Sequence, residues 1–236
     1  MSNDFSDIRI DGLFKHYVLD SKKIEVLKGV ELAIKRGEKA SIMGASGAGK
    51  STFLHVLGTL DKPTAGMVTF GDVDVFKMGE GKLARFRNKT IGFVFQFHYL
   101  LPDFTALENV MIPGRIAREH PADSRARAEK ILNEVGLGDR LNHKPGELSG
   151  GEQQRVAIAR ALVMEPAVLL ADELTGNLDG STAQGIHDLL HELNRIHRTT
   201  LIVVTHNRPL ADSMDRRLIL KDGRIIDRDL SDGEAE

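Results

Sequence analysis

The sequence predicts an α/β protein with a parallel sheet, an antiparallel β part near the N-terminus and an inserted helical segment. In the last third of the chain, two short apolar stretches at 168–171 and 201–204 flank an amphipathic stretch at 181–196. Apolar strands that alternate with helices are typical of a parallel sheet covered on both faces. Nearer the N-terminus, apolar and polar residues alternate at 30–34 and 67–75, which indicates strands with one exposed face.

The other elements follow from local patterns. An apolar strand at 40–43 leads into a glycine-rich loop and a helix at 50–57, and a further strand lies at 91–95. Helical spacing then predicts helices at 123–135 and 150–164, the second ending before Pro166. Two short runs around Asp222-Gly223 predict a β-hairpin. The inward residues expected for two of the helices are Ala128, Ile131, Leu132 and Val135 for 123–135, and Ile186, Leu189, Leu190, Leu193 and Ile196 for 181–196.

We expect these elements to form a single domain with an insertion. Residues 1–96 and 165–228 are predicted to form the core, 97–164 a helical subdomain, and 229–236 an acidic tail. A chain of 236 residues with 41% hydrophobic and 28% charged residues is ordinary for a globular protein. The net charge of −2 gives no electrostatic reason to expect nucleic acid as a partner.

Composition also restricts the chemistry and the relation to membranes. The chain has no cysteine, which excludes disulfides and cysteine-based zinc sites. The first six residues are polar and acidic, so no secretory signal is expected. Its apolar runs are far shorter than the roughly 20 residues that span a bilayer. We therefore expect any role at a membrane to depend on a partner.

A glycine-rich loop follows the strand predicted at 40–43. It reads Gly44-Ala45-Ser46-Gly47-Ala48-Gly49-Lys50-Ser51, which fits the pattern G-x-x-x-x-G-K-[ST]. Glycines let successive backbone N–H groups face phosphate oxygens, and the following helix adds the positive end of its dipole. We expect Lys50 to neutralise the β- and γ-phosphates, Ser51 to bind Mg²⁺, and the binding stretch to reach Thr52. The motif, between a strand and a helix, predicts a P-loop NTPase core.

Two further strands carry candidate catalytic residues at their carboxyl ends. Asp172 and Glu173 follow the apolar strand at 168–171, and His206 follows the strand at 201–204. Parallel sheets bind ligands at the carboxyl ends of their strands. We expect Asp172 to hold Mg²⁺ through water and Glu173 to polarise the attacking water. His206 is a candidate contact to the γ-phosphate, although a single histidine at a strand end is more often structural.

The stretch Leu148-Ser149-Gly150-Gly151-Glu152-Gln153 opens the helix predicted at 150–164. The pattern L-S-G-G-x-Q, between a phosphate loop and an Asp-Glu strand end, resembles the signature of ABC ATPases. The resemblance covers essentially the whole chain and implies the ABC ATPase fold. A capped helix with flexible glycines would explain the motif alone, but not its spacing from the other two motifs.

The resemblance implies roles for further residues. Gln96 corresponds to the Q-loop glutamine and would join Ser51 and Asp172 at Mg²⁺, and His206 corresponds to the switch histidine. Asp179, at the end of the stretch 176–179, corresponds to the D-loop aspartate. Tyr17 lies where the family has an aromatic residue that stacks on adenine, with an ordinary surface tyrosine as the alternative.

The family also implies a second copy of the chain as a partner. In ABC ATPases two chains pack head to tail, and the signature of each completes the ATP site of the other. Donors at the N-terminus of a helix suit a γ-phosphate. The residues expected to act across this interface are Ser149, Gly150, Gly151 and Glu152.

Two residues depart from the family pattern. Leu174 replaces the usual proline after the catalytic glutamate, and we expect an altered loop stiffness with hydrolysis retained. Asn207 replaces a common aspartate after the switch histidine, and we expect only a local effect.

Residues 95–110, 147–162 and 175–179 resemble the ATPase subunits of lipoprotein-release transporters (LolD type). This implies a peripheral protein on the cytoplasmic face of a bacterial inner membrane, bound to transmembrane subunits through the region after Gln96. Phe97, Tyr99, Leu100 and Leu101 form an apolar cluster there, which could equally pack within the helical subdomain. Macrolide-export (MacB-type) and cell-division (FtsE-type) ATPases share the same motifs and remain alternatives.

Other protein classes fit less well. A GTP switch protein would need an N-K-x-D or T-K-x-D motif, and the stretch 88–91 lacks the aspartate. Soluble ABC proteins usually carry two cassettes, zinc modules or a long coiled coil, and none of these features is seen in this sequence. A metal enzyme could use His187 and His191, four residues apart on a helix, but Asp188 stands where H-E-x-x-H has glutamate. We expect both histidines on a solvated face.

Overall fold

The computed structural model describes residues 7–228. The acidic tail expected at 229–236 lies outside the described residues. The chain forms two compact units. The first comprises the described residues up to Ala84 together with those from Thr200 onwards, and the second comprises Arg85–Thr199.

Strands and helices alternate along most of the chain. The N-terminal elements are β1 (Asp7–Leu19), β2 (Lys22–Lys35), β3 (Lys39–Met43), α1 (Lys50–Leu57), β4 (Ala65–Phe70), β5 (Val73–Asp74) and α2 (Glu80–Thr90). The middle elements are β6 (Ile91–Val94), α3 (Ala106–Ile116), α4 (Pro121–Glu134), α5 (Gly150–Leu162), β7 (Val168–Asp172) and α6 (Gly180–His197). The C-terminal elements are β8 (Thr200–Val204), α7 (Arg208–Asp212), β9 (Arg216–Lys221) and β10 (Arg224–Arg228).

The first unit contains an antiparallel sheet with the strand order β2-β1-β4-β5. β1 and β2 form a long hairpin that closes at Asp20 and Ser21, whose φ angles are 47° and 65°. Two consecutive positive φ angles are typical of the type I′ turn, which matches the twist of the strands it joins. One face of β1 is buried through Ile8, Ile10 and Leu13. The antiparallel N-terminal part predicted from the sequence is confirmed.

The first unit also contains parallel strands. β3 lies between β8 and β9 and is parallel to both, while β10 pairs antiparallel with β9. Ala40, Ser41 and Ile42 of β3 are fully buried, as expected for a strand covered on both faces. The hairpin predicted at Asp222-Gly223 is confirmed, with φ angles of 52° and 78° at its two central residues.

The second unit pairs β6 with β7 in parallel and packs α3, α4 and α5 against one another. The helices predicted at 123–135 and 150–164 agree with α4 and α5 to within two residues. The inward residues predicted for the first of them are all buried. The predicted division into a core and a helical subdomain at 97–164 stays a prediction, although α3, α4 and α5 all lie within that range.

Two expectations for α6 were wrong. Ile196 is 51% exposed, because it lies in the last turn of the helix, where its side chain is not covered. His187 is only 4% exposed instead of solvated. Its Nε2 lies 3.2 Å from the Thr175 hydroxyl, and this partner makes burial of the imidazole acceptable.

The helices α2 and α3 were not predicted from the sequence. α2 is mostly polar, and its apolar pattern is therefore too weak to mark a helix. α3 begins with a capping box formed by Thr105 and Glu108, a pattern that is recognisable in the sequence, and it tolerates Pro113 inside the helix. Within residues 7–228 no helix is long and apolar enough to cross a membrane.

Candidate functional site

The glycine-rich loop connects β3 directly to α1. Gly47 and Gly49 have positive φ angles of 76° and 99°, a conformation that L side chains rarely adopt. At Gly44 a Cβ atom would lie only 2.4 Å from the Leu220 carbonyl oxygen of β9, and at Gly49 it would lie 2.7 Å from Val26. The loop therefore requires glycine at these positions both for its turn and for the close approach of neighbouring chain segments.

Lys50 is the first residue of α1 and is 8% exposed. Its Nζ donates hydrogen bonds to the carbonyl oxygens of Gly44 at 3.0 Å and Ala45 at 3.1 Å. The ammonium group is thus folded back over the loop that precedes it. A nearly buried cation that donates to neutral carbonyls is well suited to an anionic ligand, because an opposite charge offsets its desolvation.

His206 lies near the same loop in the first unit. β3 and β8 are parallel with Ile42 opposite Val204, and the Thr205 amide donates to the Ile42 carbonyl at 3.2 Å. His206 therefore leaves β8 at the edge where the loop leaves β3. Its side chain is exposed.

In the second unit, the predicted acidic residues lie at the carboxyl ends of the parallel strands. β6 and β7 are parallel with Val94 opposite Ala171. Gln96 therefore follows β6 at the same edge where Asp172 ends β7 and Glu173 follows it, and all three side chains are half-buried. Glu173 has a φ angle of 46°, which is rare for a residue other than glycine and often marks functional turns.

The L-S-G-G stretch forms the N-terminus of α5. Ser149 is its N-cap: the hydroxyl accepts from the Glu152 amide at 3.3 Å, and the Ser149 amide donates to Glu152 Oε2 at 2.8 Å. The pKa of Glu152 is lowered, most strongly by the hydrogen bond from the Ser149 backbone, and then by the Ser149 side chain and by Arg140. Glu152 therefore acts within its own helix cap, while Ser149 and Gly150 are exposed.

Asp179 is the corresponding N-cap of α6. Its Oδ1 accepts from the Thr182 amide at 3.0 Å and from the Ser181 hydroxyl at 2.7 Å. These bonds, led by the Thr182 amide, hold the pKa of Asp179 far below its ordinary value. The two capped helices meet closely, because a Cβ at Gly151 would lie 2.6 Å from Thr182 Cγ2.

The same motifs recur in a known family. The family model described as "ABC transporter" matches residues 27–176, which is more than half of the chain. The chain belongs to the ABC transporter family. Its fold agrees with that of the ATP-binding cassette MJ0796, solved as a dimer bound to ADP and Pi, with a TM-score of 0.87 and 41% identity over 95% of this chain and 99% of that one.

Curated relatives of this cassette share one printed name. The chain is 60% identical over 218 residues to the "Lipoprotein-releasing system ATP-binding protein LolD" of Myxococcus xanthus, covering 92% of this chain and 97% of the relative. It is 58% identical over 219 residues to the protein of the same name from Syntrophus aciditrophicus, covering 93% and 98%.

The cassette also contains hydrogen bonds between distant residues that none of the sequence motifs predicts. In α5, Arg160 donates to the carbonyl oxygens of Tyr99 and His98 at 2.7 Å each, and its burial lowers its pKa. These bonds hold the segment after Gln96 against the helix that begins at the L-S-G-G stretch. Such contacts leave no local sequence signal, because the partners are separated by 61 and 62 residues.

The segment after Gln96 exposes an apolar surface. Phe97 is 60% exposed, Tyr99 64% and Leu101 45%, whereas Leu100 is half-buried. The rings of Phe97 and Tyr99 meet edge to face with centroids 6.3 Å apart. Of the two alternatives left open by the sequence, the exposure favours a surface available to a partner over packing inside the unit.

Proposed function

We propose that this cassette is the ATP-hydrolysing subunit of a lipoprotein-releasing ABC transporter. The observation that carries the proposal is the 60% identity, over nearly the full length of both chains, to a relative with that printed function. The chain is an ATPase by its family and its cassette fold. The specific substrate, partners and residue roles are the proposed part.

The nucleotide binds in the first unit. Backbone donors of the glycine-rich loop and the free N-terminus of α1 receive the phosphates, and the buried ammonium of Lys50 neutralises their charge. Tyr17, 41% exposed on β1, stacks on the adenine. The residues that bind ATP are Tyr17, Gly44, Ala45, Ser46, Gly47, Ala48, Gly49, Lys50, Ser51 and Thr52.

Mg²⁺ is the expected cofactor, and the donor set fits it. Ser51 supplies a hydroxyl, Gln96 an amide oxygen and Asp172 a carboxylate, all of them hard oxygen donors. Mg²⁺ usually keeps several of its waters and binds few protein groups directly, which suits an indirect role for Asp172. When bound, the ion neutralises charge on the phosphates during transfer.

Hydrolysis depends on side chains that orient water and hold charge. Glu173 polarises the attacking water by accepting its hydrogen bond, and His206 contacts the γ-phosphate. Lys50 and Gln96 complete the catalytic set. The half-buried position of Glu173 at the end of β7, with its unusual backbone, supports a role that requires a fixed carboxylate.

A second copy of the chain completes the site. Ser149, Gly150 and Gly151 present the N-terminus of α5 to the γ-phosphate of the partner, with Glu152 keeping the cap in place and Asp179 at the adjoining D-loop. Closure of the dimer and its reopening after hydrolysis drive the membrane subunits.

The transmembrane subunits bind the exposed apolar segment after Gln96. Phe97, Tyr99 and Leu101 provide aromatic and aliphatic anchors of the kind that dominate protein interfaces. With these partners, the cassette would be a peripheral subunit on the cytoplasmic face of a bacterial inner membrane.

The nucleotide chemistry is tested by two variants. Lys50→Ala is expected to lose most of its ATP affinity, measured by calorimetry. Glu173→Gln is expected to bind ATP normally and to hydrolyse it at least about 100-fold more slowly, since general acid–base catalysis contributes about 10²–10⁴-fold. Hydrolysis near the parent rate in Glu173→Gln would remove Glu173 from its role as the base.

The transported substrate is tested by capture. Tagged Glu173→Gln protein with ATP is used to isolate partners from detergent-solubilised native membranes, followed by mass spectrometry. Membrane subunits recovered together with lipoproteins would support lipoprotein release. Recovery of a drug-export or cell-division membrane protein would overturn the lipoprotein assignment and keep the ATPase.

A further inference from the structure

A polar cluster outside the sequence motifs holds the side chain of Tyr17. The Tyr17 hydroxyl donates to Asp61 Oδ2 at 2.9 Å, and the Lys15 ammonium lies 4.8 Å from the centroid of the ring. Tyr17 is nevertheless 41% exposed. An exposed aromatic ring with a fixed hydroxyl and one covered face is a rigid surface for a flat ligand.

Asp61 and Lys15 form the firm part of this cluster. Lys15 Nζ lies 2.7 Å from Asp61 Oδ1 and donates to the Lys62 carbonyl at 2.8 Å. The two side chains are 10% and 32% exposed, so the pair is better shielded and better defined than an ordinary surface ion pair. Burial alone would raise the pKa of Asp61, but hydrogen bonds from Lys15 and Tyr17 lower it, and the group stays a carboxylate.

Backbone bonds fix Asp61 relative to both neighbouring elements. The Asp61 amide donates to the His55 carbonyl in α1 at 3.1 Å. Three residues on, the Thr64 amide donates to the Phe14 carbonyl in β1 at 2.8 Å. The segment that carries Asp61 therefore ties β1 to the helix that starts at the glycine-rich loop.

We propose that Asp61 is a positioning residue for the nucleotide base, which holds the Tyr17 ring in place so that the base stacks on the face opposite Lys15. A ring that is already immobile loses little conformational freedom when the base binds, and the affinity is higher for that reason. Lys15 closes the other face by its cation–π contact. This inference rests on the proposed function, because it takes Tyr17 as the surface that receives adenine.

The composition of the chain makes the contact directly observable. The protein has no tryptophan and two tyrosines, Tyr17 and Tyr99. In a Tyr99→Phe background, Tyr17 is therefore the only phenol that titrates in the near-ultraviolet. Burial and Asp61 both raise the pKa of Tyr17. Asp61→Asn is expected to lower that pKa, which verifies that the contact exists in solution.

Nucleotide binding then tests the consequence. Calorimetry with ADP and with inorganic tripolyphosphate separates the base contact from the phosphate contact. Asp61→Asn and Tyr17→Phe are each expected to weaken ADP binding by about threefold to tenfold, the usual worth of one hydrogen bond, with tripolyphosphate binding unchanged. The double variant is expected to bind ADP about as tightly as Tyr17→Phe alone, because without the phenol hydroxyl the side chain at position 61 has no contact with the ring to lose. Asp72→Asn, an exposed aspartate of the same unit, serves as the control.

The outcomes separate this inference from the proposed function. If Tyr17→Ala binds ADP as tightly as the parent, Tyr17 does not receive the base and the proposed nucleotide contact fails. If Tyr17→Ala weakens ADP binding while Asp61→Asn and Tyr17→Phe leave it unchanged, only the positioning role of Asp61 is overturned. Equal loss of ADP and tripolyphosphate in Asp61→Asn would also overturn it. If Asp61→Asn does not fold, Tyr17→Phe, which removes a single hydroxyl, carries the same test.

Discussion

At the scale of single residues, the turn after β7 combines an unusual backbone with a buried anchor. Glu173 adopts a φ angle of 46°, and the next residue, Leu174, is 2% exposed. A left-handed residue costs of order 1 kcal/mol or more and persists only where its surroundings hold it. The buried Leu174 side chain provides such a hold immediately beside the predicted base.

Leu174→Ala is expected to destabilise the protein by about 2–5 kcal/mol, because it leaves a cavity at a fully packed position. Leu101→Ala is the matched control, and at 45% exposure it is expected to change stability by less than about 0.5 kcal/mol. Urea unfolding measures both values. Leu174→Pro is expected to keep ATP hydrolysis near the parent rate, and many-fold faster turnover would contradict this.

The buried imidazole of His187 is expected to make the stability of the protein depend on pH. Its burial lowers its pKa from the ordinary 6.5, so below that value the unfolded chain binds a proton that the folded protein resists. Stability from this residue is therefore complete above about pH 6.5 and is lost as the pH falls through the lower folded-state pKa. His187→Gln is expected to reduce the drop in melting temperature between neutral and mildly acidic pH. His16→Gln, on β1, is the control, and an equal drop in parent and His187→Gln proteins would exclude the effect.

At the scale of elements, α3 and α5 begin in the same way. Thr105 with Glu108 and Ser149 with Glu152 each form a capping box. Such a cap contributes about 1 kcal/mol by satisfying free N–H groups in the first turn. The two helices differ in the residues after the cap, which are Ala106 and buried Leu107 in α3 but two glycines in α5. The first turn of α5 exposes Gly150, whereas the first turn of α3 buries Ala106 and Leu107.

Substitutions at these two caps distinguish an effect on the stability of the fold from an effect on ATP-dependent dimer formation. Ser149→Ala and Thr105→Ala are each expected to cost about 1 kcal/mol of stability, measured by urea unfolding. In the Glu173→Gln background with ATP, only Ser149→Ala is expected to weaken dimer formation, because Ser149 is proposed to reach the partner's phosphate. Equal dimerisation by both variants would place the signature outside the interface.

At the scale of the whole molecule, the proposed activity requires two chains. The first unit holds the phosphate loop, Tyr17 and His206, while the signature belongs to the second unit. If the signature of one chain binds the nucleotide that is held by another, ATP bridges the two chains and stabilises their dimer. Nucleotide that bridges two chains stabilises the dimer by an amount that rises with the logarithm of the free nucleotide concentration once that concentration exceeds the dissociation constant.

Glu173→Gln is expected to form a dimer in Mg-ATP because bound ATP is not consumed, and to be monomeric without nucleotide. Light scattering coupled to size-exclusion chromatography measures the mass directly. Lys50→Ala in the same background is the control and is expected to stay monomeric, since it lacks ATP affinity. A monomer of Glu173→Gln in saturating Mg-ATP would contradict the two-chain site.

Features that depend on neighbouring residues were predictable from the sequence. The glycine-rich loop, the bounds of α1 and the hairpin at Asp222-Gly223 follow from backbone preferences over a few positions. The position of Asp172 and Glu173 at the carboxyl end of β7 was also predictable, because parallel strands of buried residues have a characteristic apolar run. Physical restrictions on φ, ψ and burial act locally, so the residues alone were sufficient to predict the glycine-rich turn and the strand that leads to it.

The distant residues that support the site became evident only in the folded chain. Asp61 meets Tyr17 across 44 positions, and Arg160 meets Tyr99 across 61. Burial of His187 and exposure of Ile196 on the same helix likewise contradict its simple apolar stripe, since each depends on what covers that turn. A distant residue that donates a hydrogen bond or covers a side chain decides whether burial of that side chain is favourable. The neighbouring sequence contains no sign of such a distant partner.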